Sequence, residues 1–373
     1  MRTGGRFRYG GNMSEVKALF DPQSLVRANI RRMKPYSSAR SEFNGKAEVF
    51  LDANENAFGS PAGGGYNRYP DPLQTELKAR AAELLCVSPS QVFIGNGSDE
   101  VIDLLFRIFC EPGADDVIIC PPTYGMYKVT AEINDIGVKE VSLTENFQLD
   151  LPAILNAITL RTKLIFICSP NNPTGNLMDE DAILEIARCF RGIVVIDEAY
   201  VHFADRPSFA GKLNTAPNLV VIQTFSKAWG MAGLRVGLAI AHEPVINLMN
   251  SVKPPYNVSG IAQRAAVGAL EKRDVIDAWI AELLSERDRL VKELEALDIV
   301  RKIYPTDANF LLAKFADSNS IYRHLLDRGI VVRDRSGVEL CQGCLRITVG
   351  TKAENDQLIN ALFSFTNELA ATI

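Results

Sequence analysis

The sequence predicts an α/β fold: a mostly parallel central sheet flanked by helices, with a smaller α+β domain beyond it. Three observations predict it. Residues 163–168 (KLIFIC), 193–196 (IVVI) and 219–224 (LVVIQT) are short apolar runs, as expected of strands buried on both faces of a parallel sheet. From about residue 72 such runs alternate with helical segments, and that alternation builds layered α/β domains. After Pro254-Pro255 the character changes. Residues 259–297 are rich in Ala, Glu, Leu and Arg and read as long helices.

Taken in order, residues 72–85 read as an amphipathic helix and 91–94 as a strand ending at Gly95-Asn96-Gly97. A helix is expected over 98–109, with Ser98 as N-cap and Asp99 and Glu100 in its first turn. Residues 116–120 form a strand stopped by Pro121-Pro122, 124–133 a helix and 138–143 a strand. Farther on, 309–313, 330–332 and 345–349 read as strands around a helix at 321–327, and a last helix starts at residue 353. The expected organisation is a disordered extension (1–12), an N-terminal segment packing with the small domain (13–60), a large domain (61–258) and a small C-terminal domain (259–373).

At 373 residues the chain suits two domains sharing a cleft. Its 47% hydrophobic and 23% charged residues are ordinary for a globular protein. The net charge is −5 and no Lys/Arg run suggests a nucleic-acid groove, so no nucleic-acid partner is expected. No apolar run is long enough to span a bilayer, and the opening MRTGGRFRYGGNM lacks the apolar core of a secretory signal. Arg2, Arg6 and Arg8 without an acidic residue hint at a transit peptide; a disordered start or initiation at Met13 is the preferred reading. Seven scattered cysteines read as reduced thiols in a cytoplasm-like compartment. Cys341 and Cys344 form one C-x-x-C without a second pair of ligands nearby, so no metal site is expected. With only His202, His242 and His324, a Ser-His-Asp hydrolase is hard to build.

Four polar stretches follow predicted strands, where open α/β sheets bind their ligands. They are Gly97–Glu100, Ser169–Gly175, Asp197–Tyr200, and Ser226-Lys227 with Gly233-Leu234-Arg235. Asp197, directly after an apolar run, needs a cationic partner if it is buried; a helix cap is the alternative. A pyridinium nitrogen would serve, and Tyr200, three residues on, could reach a neighbouring atom of the same ring. Lys227 after a buried strand suits Schiff-base and proton-transfer work, because partial desolvation lowers a lysine pKa. Ser226 and Arg235 can both serve a phosphate, and a helix start at Ser98-Asp99 offers free N–H groups.

These residues resemble the fold-type I pyridoxal 5′-phosphate (PLP) aminotransferases, and more closely the histidinol-phosphate aminotransferase family. The resemblance rests on LDANEN (51–56), NRYPDP (67–72), CPPTYGMY (120–127), CSPNNPTGN (168–176), DEAY (197–200), SKAWGMAGLRVG (226–237) and CLRITVGT (344–351). It implies that Lys227 holds the cofactor as a Schiff base and that Asp197 pairs with the pyridine nitrogen. Tyr200 and Asn172 would hydrogen-bond the phenolic oxygen, and Tyr124 would stack on the ring. The Ser98–Asp99 backbone, Thr224, Ser226 and Arg235 would surround the phosphate, with Tyr69 reaching in from the second subunit of a homodimer. Arg346 would bind glutamate's α-carboxylate and, with Arg333, the substrate phosphate; Tyr36 and Asn309 would line the pocket. Trp229 departs from the family pattern, in which Phe is more usual.

The implied reaction is amino transfer between glutamate and imidazole-acetol phosphate, giving 2-oxoglutarate and histidinol phosphate. A threonine-phosphate decarboxylase and an aromatic amino acid aminotransferase are rivals within the superfamily. A non-catalytic PLP-fold regulator is a third, though no appended DNA-binding helices are visible.

Overall fold

Seven strands form the larger sheet of the computed structural model, which describes residues 20–36 and 48–372. They are β1 (Val92–Asn96), β2 (Asp116–Ile119), β3 (Gly137–Glu140), β4 (Thr162–Cys168), β5 (Ile193–Asp197), β6 (Leu219–Thr224) and β7 (Val236–Ala241). Side by side they run β1-β7-β6-β5-β4-β2-β3. The neighbours from β3 to β6 are parallel, whereas β7 is antiparallel to both β6 and β1.

Alternation along the strands sends side chains to two separate cores. On one face Ile165, Ile167, Val194 and Ile196 meet helices α1 (Thr75–Leu85), α4 (Leu151–Ala157) and α5 (Glu180–Cys189). On the other, Leu164, Phe166, Val195 and Ile222 meet α2 (Gly97–Phe109), α3 (Met126–Ile133) and α6 (Glu243–Val252). Several helices are started by side chains at their N-caps. Asp150 and Asp179 accept from the N–H groups of Ala153 and Ala182 as N-caps of α4 and α5.

Beyond α6, α7 (Gly260–Leu270) and the long α8 (Arg273–Glu295) lead to a second sheet. It comprises β8 (Val300–Ile303), β9 (Phe310–Phe315), β10 (Arg333–Asp334) and β11 (Cys344–Thr348), ordered β10-β11-β9-β8 and antiparallel throughout. With α9 (Ser318–Asp327) and α10 (Lys352–Thr372) it encloses a third core of Leu290, Leu294, Leu311, Ile321, Leu345 and Leu362.

Some details differ from expectation. Asn96, not Ser98, holds the cap position of α2, which places Ser98 inside the first turn. The helix expected at 124 begins at Met126, after the turn that carries Tyr124. The small edge strand pairs at Arg333–Asp334 rather than at 330–332. In the described part of the N-terminal segment, Val26 enters the core under α2, and the Arg27 N–H donates to the Ile108 carbonyl at 3.0 Å. That stretch therefore packs on the large domain, because Phe20, Leu25, Val26 and Ile30 present apolar surface to it. The extension over 1–12 lies outside the described residues, as do 13–19 and 37–47.

The loop after β4 meets the loop before β9. Asp307 donates its N–H to the Gly175 carbonyl at 2.8 Å, and its carboxylate accepts from the Leu177 N–H at 2.9 Å. Gly175 has φ +86°, and a Cβ there would lie 2.3 Å from Thr306 Oγ1. The glycine thus permits a close approach that holds the second sheet over the C-terminal end of β4.

Candidate active site

A cleft of about 730 Å³ opens at the C-terminal ends of β4, β5 and β6. Lys227 stands in it three residues after β6. The turn is held by Phe225 N–H to Val236 O and by Gly230 N–H to Lys227 O, both at 3.0 Å. Solvent reaches the Lys227 side chain through the cleft, yet the crowding walls lower its pKa. Desolvation is the largest cause, followed by repulsion from Arg346; Asp197 opposes both. The Lys227 ammonium lies 5.5 Å from the centre of the Tyr200 ring.

Asp197 closes β5 and is buried beside this cleft. Its Oδ2 accepts from the Tyr127 hydroxyl at 2.6 Å and its Oδ1 from the Ala199 N–H at 3.0 Å. Burial raises its pKa, and these two neutral donors offset only part of that. Among the described residues no cation pairs with it directly. A buried carboxylate left in this condition suits a protonated ring nitrogen.

A candidate anion site lies at the start of α2. Arg235 donates to Asp99 Oδ2 at 3.0 Å, and the Tyr124 hydroxyl donates to Asp99 Oδ1 at 3.1 Å. Gly97 (φ +75°) lets the Arg235 guanidinium lie against the helix start, for a Cβ there would sit 2.5 Å from Arg235 Nη2. Ser98, Thr224 and Ser226 line the same end. First-turn N–H groups, two hydroxyls beside Ser98 and a guanidinium form a cradle that fits a phosphate.

The opposite wall is cationic. Arg346 on β11 lies directly across from Arg333 on β10 in the antiparallel register, and both line the cleft. Arg346 donates to the amide oxygen of Asn172, and its guanidinium lies 5.3 Å from the Phe310 ring centre. Tyr200 packs edge-on against Phe310 at 5.1 Å, and burial raises its phenol pKa.

The cleft thus gathers Lys227, Asp197, Tyr200, Tyr124 and Asn172 with the anion-site residues Ser98, Asp99, Thr224, Ser226 and Arg235 and with Arg333 and Arg346. Three predicted residues stand apart from it. Tyr36 is exposed and Asn309 accepts through its backbone from the Val349 N–H. Tyr69 stacks on Tyr256 at 4.4 Å beside a separate groove of about 580 Å³. Two residues escaped sequence reasoning. Tyr127 is a fully buried tyrosine whose hydroxyl needs a partner, and its i,i+3 spacing from Tyr124 was the available signal. Arg335 also lines the cleft, two positions after Arg333 and so on the same side of an extended chain.

Among the described residues no group of three or more His, Cys, Asp and Glu side chains could hold a metal ion. Cys341 and Cys344 are free and buried, with thiols pushed up to about 12 and about 11, chiefly by burial. No helix among the described residues is long and apolar enough to cross a membrane.

A lysine amine, an unpaired buried carboxylate and a phosphate cradle in one cleft are the fittings of a PLP enzyme, and comparison with known proteins agrees. The family model for aminotransferase class I and II matches residues 41–362, and the chain belongs to this family of PLP-dependent transaminases. Within it, the chain is 51% identical to the histidinol-phosphate aminotransferase of Cytophaga hutchinsonii, over 93% of this chain and 99% of that one. Identity to the enzyme of the same name from Bacteroides thetaiotaomicron is 50%, over 91% and 97%. The crystal structure of histidinol-phosphate aminotransferase from Sinorhizobium meliloti in complex with PLP superposes with a TM-score of 0.74 at 26% identity, covering 85% of this chain and 90% of that one.

Proposed function

We propose that this chain is a histidinol-phosphate aminotransferase of histidine biosynthesis. It transfers the amino group reversibly from L-glutamate to imidazole-acetol phosphate, giving 2-oxoglutarate and L-histidinol phosphate. The observation that carries the reading is the cleft itself, with a lysine amine and an uncompensated carboxylate at one end and arginines on the facing wall.

PLP, when bound, supplies an electron sink for the charge left at the substrate Cα. Lys227 would hold the cofactor through its side-chain amine, and that amine, when free, would move the proton to and from the substrate Cα. Its lowered pKa leaves more of the amine free to take that proton. Asp197 would hold a proton at the pyridine nitrogen. Tyr200 and the amide nitrogen of Asn172 would donate to the phenolic oxygen; the Asn172 nitrogen is left for this because its oxygen already faces Arg346. Tyr124 would lie against the ring. The start of α2, with Thr224, Ser226 and Arg235, would hold the cofactor phosphate. Arg346 and Arg333 would receive the substrate's anionic group.

The active form is a homodimer. Tyr69 lies outside its own cleft, in a groove with Tyr66, Tyr256 and Ile261, where exposed Tyr66 and Ile261 offer apolar surface to a second copy that would carry Tyr69 to the partner's cofactor phosphate. Seven free thiols favour a cytoplasmic location.

The test is a half-reaction screen of the PLP form against histidinol phosphate, glutamate, phenylalanine and threonine phosphate. Conversion to the pyridoxamine form by histidinol phosphate and glutamate supports the reading. Conversion by phenylalanine but not histidinol phosphate overturns the substrate assignment, and CO2 release from threonine phosphate points to the decarboxylase.

A further inference from the structure

Arg335 has no part in the reaction as assigned so far, and its setting is unusual. It lines the cleft with Arg333 and Arg346. Its N–H donates to the Cys344 carbonyl at 3.0 Å, which extends the β10–β11 pairing and fixes its backbone beside the Arg333–Arg346 pair. Among the described residues none of the three guanidiniums forms an ion pair. Arg346 turns to an amide oxygen. Arg335 Nε is buried with no hydrogen-bond partner, and the intervening Asp334 accepts from the Ser336 N–H at 2.8 Å.

Three cations on one wall form a costly arrangement that an incoming anion would relieve. A single carboxylate offers one charge and two oxygens, which one or two guanidinium forks already match. A phosphate monoester carries nearly two charges and three acceptor oxygens, enough to engage a third fork.

We propose that Arg335 is a specificity-determining residue, the third guanidinium of the wall, which selects a phosphate monoester over a carboxylate in the amine substrate. The proposal rests on the substrate pair given above. It deepens that reading by naming a further group, beside Arg333, that separates the two substrates.

The experiment uses PLP-loaded Arg335→Gln and Arg335→Lys, with cofactor content and circular dichroism as checks on folding. Single-turnover half-reactions with histidinol phosphate and with glutamate give two values of kcat/KM for each protein. Inorganic phosphate is then tested as a competitive inhibitor of the glutamate half-reaction. For Arg335→Gln we expect kcat/KM for histidinol phosphate to fall about 10- to 100-fold, mostly through KM, and that for glutamate to fall much less. Inhibition by inorganic phosphate weakens in parallel, and Arg335→Lys recovers part of both effects. Equal losses on the two substrates, or unchanged inhibition by phosphate, overturn the proposal. Should the wild-type enzyme fail to react with histidinol phosphate, the substrate reading fails separately, and phosphate inhibition alone decides the role of Arg335.

Discussion

The hydroxyl of Tyr127 donates to Oδ2 of Asp197 at 2.6 Å, and both side chains are buried at the C-terminal end of β5. The bond fixes the carboxylate without neutralising it. Tyr127→Phe therefore removes one of the two donors to a buried carboxyl group, and the apoprotein should lose about 1–3 kcal/mol of stability. Asp197→Asn tests the other side of the pair. It should still bind PLP but lose most of its turnover, since an amide cannot hold the ring nitrogen protonated. Half-reaction rates near those of the wild type would reduce Asp197 to a structural role.

Glu198, the next residue, is fully buried and accepts from Ser208, Gln223 and the Phe209 N–H. Burial pushes its pKa up to about 7 against an ordinary 4.5, with those bonds opposing. The folded state thus holds a proton that the unfolded chain gives up. The resulting stability is present below about pH 4.5 and is lost as pH rises through about 7, a change on the order of 3 kcal/mol. Urea midpoints at pH 5 and pH 8 should show a smaller fall for Glu198→Gln than for the wild type. Equal falls would mean that Glu198 is ionised throughout.

How much of this was legible beforehand depended on the residue. β4, β5 and β6 announce themselves because burial on both faces demands unbroken Val, Ile and Leu. β7 (VGLAIA) does not: Gly237 and Ala239 replace the usual branched residues, and the stretch reads as an extension of the motif around Lys227. Asp197 and Lys227 stand out because a charge beside an apolar run is costly. Tyr127 could not, since the partner it needs is 70 positions away along the chain. The Arg333–Arg346 register is likewise a property of strand pairing across a turn, invisible to periodicity.

That pairing carries the third prediction. Arg346→Lys keeps the charge but loses the fork, the contact with Asn172 and the stacking on Phe310. Both half-reactions should slow, by roughly 10- to 100-fold in kcat/KM. Arg333→Ala, at the exposed edge, should impair histidinol phosphate more than glutamate. Stopped-flow measurement of each half-reaction separates the two. The opposite ranking would remove Arg333 from the phosphate site.

Composite sites make a prediction about mixed dimers. Tyr69→Phe and Lys227→Ala protomers are each impaired, but one chain of a heterodimer contributes Lys227 and the other Tyr69. Random reassociation makes half of the dimers mixed, with one intact site each, so roughly a quarter of all sites should recover. A fully active monomer in sedimentation would exclude a shared site.

The most direct test is chemical. Borohydride reduction of the PLP-bound protein fixes the cofactor on the amine that holds it, and peptide mapping then locates the label. We predict a single labelled residue, Lys227, and no label at this position or any other in Lys227→Ala. Cofactor fixed on a different lysine, or a Lys227→Ala variant that is labelled as fully as the wild type, would contradict the assignment.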